Sequence, residues 1–88
     1  MKPTIYIDVR RPEEFVTGRL PGAHNISIEE DPGAVDKLIT LATDHDVVVY
    51  CYSTVRSNYV CTLLEVKYGV KVGRLDGGLM LYQGELEV

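Results

Sequence analysis

Asp46-Val47-Val48-Val49-Tyr50-Cys51 is the most continuous apolar run in the chain, and Tyr52-Ser53-Thr54-Val55-Arg56-Ser57 follows it directly. A β-branched run of this kind reads as a central strand covered on both faces, as the strands of a parallel sheet are. Tyr52 to Val55 reads as a short loop. Arg56 or Ser57 opens a helix that runs to about Tyr68 and is stopped by Gly69. Upstream, Thr4 to Val9 reads as a strand, Pro12 to Val16 as a short helix, and Asn25 to Ile28 as a second strand after the turn at Leu20 to Ala23. Glu29 to Gly33 is a polar loop. Ala34 to Ala42 carries apolar residues at 34, 35, 38, 39 and 42, which is helical spacing. Downstream, Val70 to Leu75 reads as a fourth strand, and Gly77-Gly78 turns into a last short helix, Leu79 to Gln83.

The order βαβαβαβα predicts an α/β fold: a four-stranded parallel sheet flanked by helices on both faces, joined by right-handed crossovers. At 88 residues it reads as a single domain, 1–88. Apolar residues make up 45% and charged residues 25%, a globular balance that argues against disorder. Nine basic residues against thirteen acidic ones give a net charge of −4, so nothing draws the chain to nucleic acid or to an anionic membrane. No apolar run approaches the roughly 18 residues of a membrane span, and no signal peptide is visible. A reducing, cytoplasmic setting is therefore expected, in which the two cysteines are packed or reactive rather than bridged. No ligand cluster points to a metal, and no cofactor is expected. His24 and His45 stand alone and read as surface or structural residues.

In a sheet of this kind ligands sit beyond the carboxyl ends of the strands. The segments there are Arg10-Arg11, Glu29 to Asp31, Cys51 to Arg56 and Asp76 to Gly78. One of them holds a cysteine. A loop curled round its sulfur would present successive backbone N–H groups as an anion cradle, and a helix dipole and Arg56 would add positive potential. Such surroundings favour a thiolate. The spacing is equally met by a small hydrophobe packed at a strand end. Tyr50 and Tyr52 read as lining the sheet and the pocket rim. Ser53 and Thr54 either donate hydroxyl hydrogen bonds or solvate the loop.

Four stretches together resemble the rhodanese family of single-domain, thiosulfate sulfurtransferase-like proteins. Ile7-Asp8-Val9-Arg10-Arg11-Pro12-Glu13-Glu14-Phe15 is similar to the family's D-V-R-x-x-x-E-[FY]. Gly18-Arg19-Leu20-Pro21-Gly22-Ala23-His24-Asn25-Ile26 is similar to G-H-I-P-G-A-x-N-[IV]. Val47 to Cys51 leads into a C-x4-R loop with Ser57 after it, and Leu75-Asp76-Gly77-Gly78-Leu79 is similar to L-x-G-G. The resemblance implies that Cys51 takes the outer sulfur of a donor such as thiosulfate, becomes a persulfide, and passes the sulfur to cyanide or a thiol. Backbone amides of Tyr52, Ser53, Thr54, Val55, Arg56 and Ser57 would hold the donor and the persulfide, with Arg56 assisting the anionic groups. The partners expected are a small anionic sulfur donor, a thiol or cyanide acceptor and a sulfur-relay protein, the chain being a monomer or weak homodimer. The related dual-specificity phosphatases have a loop one residue longer, so the shorter loop favours sulfur transfer. The competing reading is a rhodanese-like binding or regulatory module with little turnover.

Three departures carry expectations of their own. Thr54 stands where the family often has Gly, and a β-branched residue resists positive φ, so a reshaped loop or a narrowed pocket is expected. Arg19 replaces the His of G-H-I-P and should face solvent at a turn, the alternative being that it adds positive potential near the site. The family's extra N-terminal helix and edge strand are missing, which predicts a minimal sheet in the order 4-3-1-2 and an edge or apolar patch open to dimerisation. Asp8 and Arg10 read as a structural ion pair or loop anchor, with Glu14 as the expected partner of Arg10. The alternative has them tuning the thiolate. Cys61, with Val60, Leu64 and Tyr68, fits an apolar helix face and reads as core.

Overall fold

The computed structural model describes all of residues 1–88. The elements are β1 (Thr4–Asp8), α1 (Pro12–Phe15), β2 (His24–Asn25), α2 (Ala34–Asp44), β3 (Asp46–Tyr50), α3 (Val55–Tyr68), β4 (Gly73–Arg74) and α4 (Gly78–Leu81). All pairings are parallel, and the strand order is β2-β1-β3-β4, as the family resemblance implies. The β1 to β2 connection runs across the sheet in the opposite sense to the next two. Right-handed crossovers therefore set α2 and α3 on one face and α1 on the other.

Period-2 alternation sorts the central strands between those faces. Ile5 pairs with Val47 and Ile7 with Val49, and these side chains meet Leu38 of α2 and Val60 and Leu64 of α3 in the main core. Cys51, one step beyond Val49 on the same face, joins that core. Tyr6 and Asp8 lie opposite Val48 and Tyr50 and point the other way. That second face is covered thinly, by α1, the Leu20 turn and the C-terminal tail. Tyr6, Leu20, Pro21, Leu75 and Tyr82 line a cleft of about 270 Å³ there.

The outer strands are shorter than their sequences suggest. β2 pairs only through His24 and Asn25, earlier than the expected Asn25 to Ile28. The segment nevertheless stays alongside β1, because the Ile26 N–H donates to Asp8 O and the Ile28 N–H to Val9 O. β4 is confined to Gly73 and Arg74, where Val70 to Leu75 was expected. Val70 is held instead at the end of α3, its N–H donating to Leu64 O, while Gly69 at φ 67° closes the helix as expected. Helix limits shift modestly: α2 extends to Asp44, α3 begins at Val55, and α4 occupies Gly78 to Leu81 rather than Leu79 to Gln83. Cys61 is half-buried, packed against the core with its thiol beside the carbonyls of Val72 and Gly73. Burial raises the pKa of that thiol. No helix is long and apolar enough to cross a membrane.

Candidate active site

β3 ends where Cys51 begins the loop to α3, and the loop is shaped by what its carbonyls find. The first turn of α4 packs against it. The Leu79 N–H donates to Cys51 O at 3.1 Å and the Met80 N–H to Tyr52 O at 2.8 Å. Gly78, at φ 63°, makes this approach possible, because a Cβ there would overlap the carbonyl oxygens of Cys51, Tyr52 and Ser53. The Thr54 carbonyl accepts from the Asn58 N–H at 2.8 Å and from the Ser57 hydroxyl at 3.2 Å. With these carbonyls taken, the backbone N–H groups of residues 52 to 57 have no acceptor within the protein. Those of 55 to 57 are the orphan donors that every helix start carries. A loop with its acceptors turned away and its donors free is suited to an anion.

The sulfur of Cys51 sits at the base of this loop. Its residue is 1% exposed, and its thiol donates to Ser57 Oγ across 3.6 Å. No cleft is lined by Cys51 or the loop, and the largest, about 530 Å³, lies between the Ile28–Asp31 segment, α2 and α3. Thr54 does not take positive φ: its φ is −141°, and only Gly residues have positive φ.

Arg56 leaves the loop for α1 and the Ile28–Asp31 segment. Its Nη1 donates to Glu14 Oε1 at 2.6 Å and to Glu29 Oε1 at 3.0 Å, and its Nη2 to Glu14 Oε2 at 3.1 Å. The bidentate bond from Arg56 holds the Glu14 carboxyl down to about 2, and the same pairing raises the guanidinium further above its ordinary range. Arg56 remains within electrostatic reach of Cys51.

Asp8 and Arg10 pair with each other. Both are buried, at 0% and 5% exposure. Arg10 Nη2 meets Asp8 Oδ2 at 2.7 Å and Gly18 O at 2.6 Å. The expected partner Glu14 is instead committed to Arg56. Tyr50, also buried, accepts the Leu20 N–H at its hydroxyl, and burial pushes that phenol well above its ordinary range. Arg19 is mostly buried rather than solvent-facing, because its guanidinium stacks over Phe15 and pairs with Glu87.

The structure thus brings Cys51, Arg56 and Ser57 together round one loop and leaves Tyr52 and Val55 on its exposed rim. Sequence reasoning passed over Glu14 and Glu29 as partners of Arg56. The signal was present in part, since Glu29 lies in a segment at the carboxyl end of a strand and Glu14 in the short helix that follows another.

The Rhodanese-like domain family matches residues 1–85. The chain belongs to that family. A Bacillus subtilis protein with the provisional name of sulfurtransferase YtwF is 38% identical over 90% of this rhodanese-like chain and 73% of its own. An Allochromatium vinosum protein named sulfurtransferase is 32% identical over 89% of this chain and 70% of its own. An HTH-type transcriptional regulator of Mycobacterium tuberculosis is 38% identical over 84% of this chain, which spans only 32% of that protein. Among solved structures, the rhodanese-like domain of Anabaena Alr3790 superposes with a TM-score of 0.81 at 25% identity, over 100% of this chain and 84% of that one.

Proposed function

We propose that this rhodanese-like domain is a sulfurtransferase that carries sulfane sulfur as a persulfide on Cys51. The observation that carries the reading is the row of unpaired backbone N–H groups from Tyr52 to Ser57, next to a cysteine at the end of a central strand. In the first half-reaction the Cys51 thiolate attacks the outer sulfur of a donor such as thiosulfate. A new S–S bond forms, the donor's own sulfur–sulfur bond breaks, and its electron pair leaves on sulfite. In the second, cyanide or a thiolate removes the outer sulfur and returns the Cys51 thiolate.

The free amides would stabilise the negative persulfide, as fixed dipoles do without reorganising. Ser57 would turn its hydroxyl from Thr54 O toward the charged sulfur. A reducing compartment such as the cytoplasm, a small sulfur donor, a thiol or cyanide acceptor and a sulfur-relay partner complete the proposal.

Intact-mass measurement tests it. The wild type and Cys51→Ser are incubated with thiosulfate and, separately, with an alkyl persulfide. The expected result is the gain of one sulfur atom on the wild type, reversed by cyanide and absent from the variant. Loading at the same level on Cys51→Ser, or none with either donor, would overturn the assignment.

A further inference from the structure

We propose that Glu29 is a specificity-determining residue: with Glu14 it cancels the charge of Arg56, so that the site selects persulfide donors over dianionic thiosulfate. The proposal rests on the reading of Cys51 as a persulfide carrier and goes on to name the donor class.

Arg56 is the one cation in the segment from Cys51 to Ser57. Its guanidinium is held at 2.6 Å by Glu14 and at 3.0 Å by Glu29, so two negative charges surround one positive charge at the rim of the loop. Of the other cations at this end, Arg10 is buried on Asp8 and Arg19 is bound to Glu87, Arg11 shares Glu14 with Arg56, and Arg74 is bound to the neutral Asn58 on the far side of the loop. Glu30, beside Glu13 and Glu29, adds to the acidic rim, and its pKa is raised by lost solvation and by Glu13. The uncommitted donors are backbone N–H groups, which suit the single charge of one sulfur atom.

The two donor chemistries differ in the charge they bring. Thiosulfate carries two negative charges to a Cys51 thiolate and leaves as doubly charged sulfite. A persulfide reacts as neutral R–S–SH. The thiolate bonds to its outer sulfur, the inner S–S bond breaks, and the electron pair leaves on RS⁻, so one negative charge is present throughout. The body of a persulfide carrier can stay outside the loop, so that only its outer sulfur meets the row of N–H groups. That carrier is either a small thiol or a protein cysteine.

The test follows the rate of sulfur loading on Cys51 by intact mass. The donors are thiosulfate, 2-hydroxyethyl persulfide and a cysteine-persulfide peptide flanked by lysines, at matched concentrations. Both persulfides should load the wild type at least about tenfold faster than thiosulfate, because like charges repel at the rim. Glu29→Gln should raise the thiosulfate rate about tenfold while moving the 2-hydroxyethyl persulfide rate by less than about twofold.

A second measurement needs no variant. Added salt should speed thiosulfate loading of the wild type, by screening repulsion, and leave the neutral donor unaffected. A peptide much faster than the small persulfide supports a protein source, and equal rates support a small thiol. Thiosulfate loading as fast as either persulfide, or a donor ratio unmoved by Glu29→Gln and by salt, overturns the proposal. Loading by no donor at all overturns the Cys51 reading itself, and this proposal with it.

Discussion

Asp8 and Arg10 sit two residues apart at the end of β1, both out of water, and the cost of desolvating them is offset by their mutual geometry and by the bond from Arg10 to Gly18 O. Asp8 Oδ1 also accepts the Arg10 backbone N–H at 2.9 Å, and Arg10 reaches across to Gly18 O. The pair thus fixes the turn from β1 into α1, which carries Glu14. Removing one partner of a buried pair strands the other charge. Asp8→Asn keeps the shape and loses the charge, and it should cost about 3 kcal/mol or more, read as a lower urea midpoint with an unchanged slope. A loss below about 1 kcal/mol would mean that Arg10 recovers its solvation elsewhere. The sequence revealed that these charges are structural but not how they pair. Arg10 and Glu14 stand at a plausible helical spacing. Only the tertiary approach of α3 shows that Arg56 takes Glu14, leaving Arg10 to Asp8.

At the scale of elements, the site depends on α4, a helix of one turn. Its free N–H groups bind the carbonyls of Cys51 and Tyr52, and that turns the loop's own N–H groups loose. Gly78 is the hinge of this contact. Gly78→Ala would place a methyl group against three carbonyl oxygens at a backbone angle that side chains resist. The loop must then move away from α4. Sulfur loading on Cys51 should fall at least about tenfold, as a misplacement near 1 Å can cost far more. The fold should survive, because the main core of β1, β3, α2 and α3 is untouched. Intact-mass kinetics beside far-ultraviolet circular dichroism separates the two effects. Unchanged loading would mean that α4 does not shape the loop.

The Gly77-Gly78 pair was legible as a turn, since it ends the L-x-G-G stretch. Its contact with the Cys51 loop was not, because it depends on β4 lying beside β3. β3 and α3 were legible from a continuous β-branched run and a Gly stop, and the strand order from the family resemblance. β2 and β4 were misjudged in extent. At a sheet edge one neighbour decides where pairing stops, and the sequence of the edge strand does not record it.

For the whole molecule, several ties between elements and loops pass through carboxylates. Glu14 joins α1 to α3 through Arg56, Asp31 joins the loop after β2 to α2 through Lys37, and Glu87 joins the C-terminal tail to Gly22 and Arg19. Each carboxyl is held below its ordinary value: Glu14 by Arg56, Asp31 by Lys37, and Glu87 by the Gly22 N–H. A depressed folded-state pKa means that the unfolded chain binds the proton first. The stabilisation is therefore complete above the ordinary carboxylate range and is lost as pH falls through the folded value. For Glu14 that window runs from 4.5 down to about 2. Partial exposure and screening leave about 1 kcal/mol of contribution from this pair.

Urea midpoints measured from pH 7 to pH 2 should hold level to about pH 5 and then decline. Glu14→Gln should begin lower at pH 7 and decline less steeply, so that the two curves converge near pH 2. Parallel curves would mean that the Glu14–Arg56 bond, although short, adds nothing to the stability of the fold. The role of Glu14 would then be confined to the charge at the rim of the Cys51 loop.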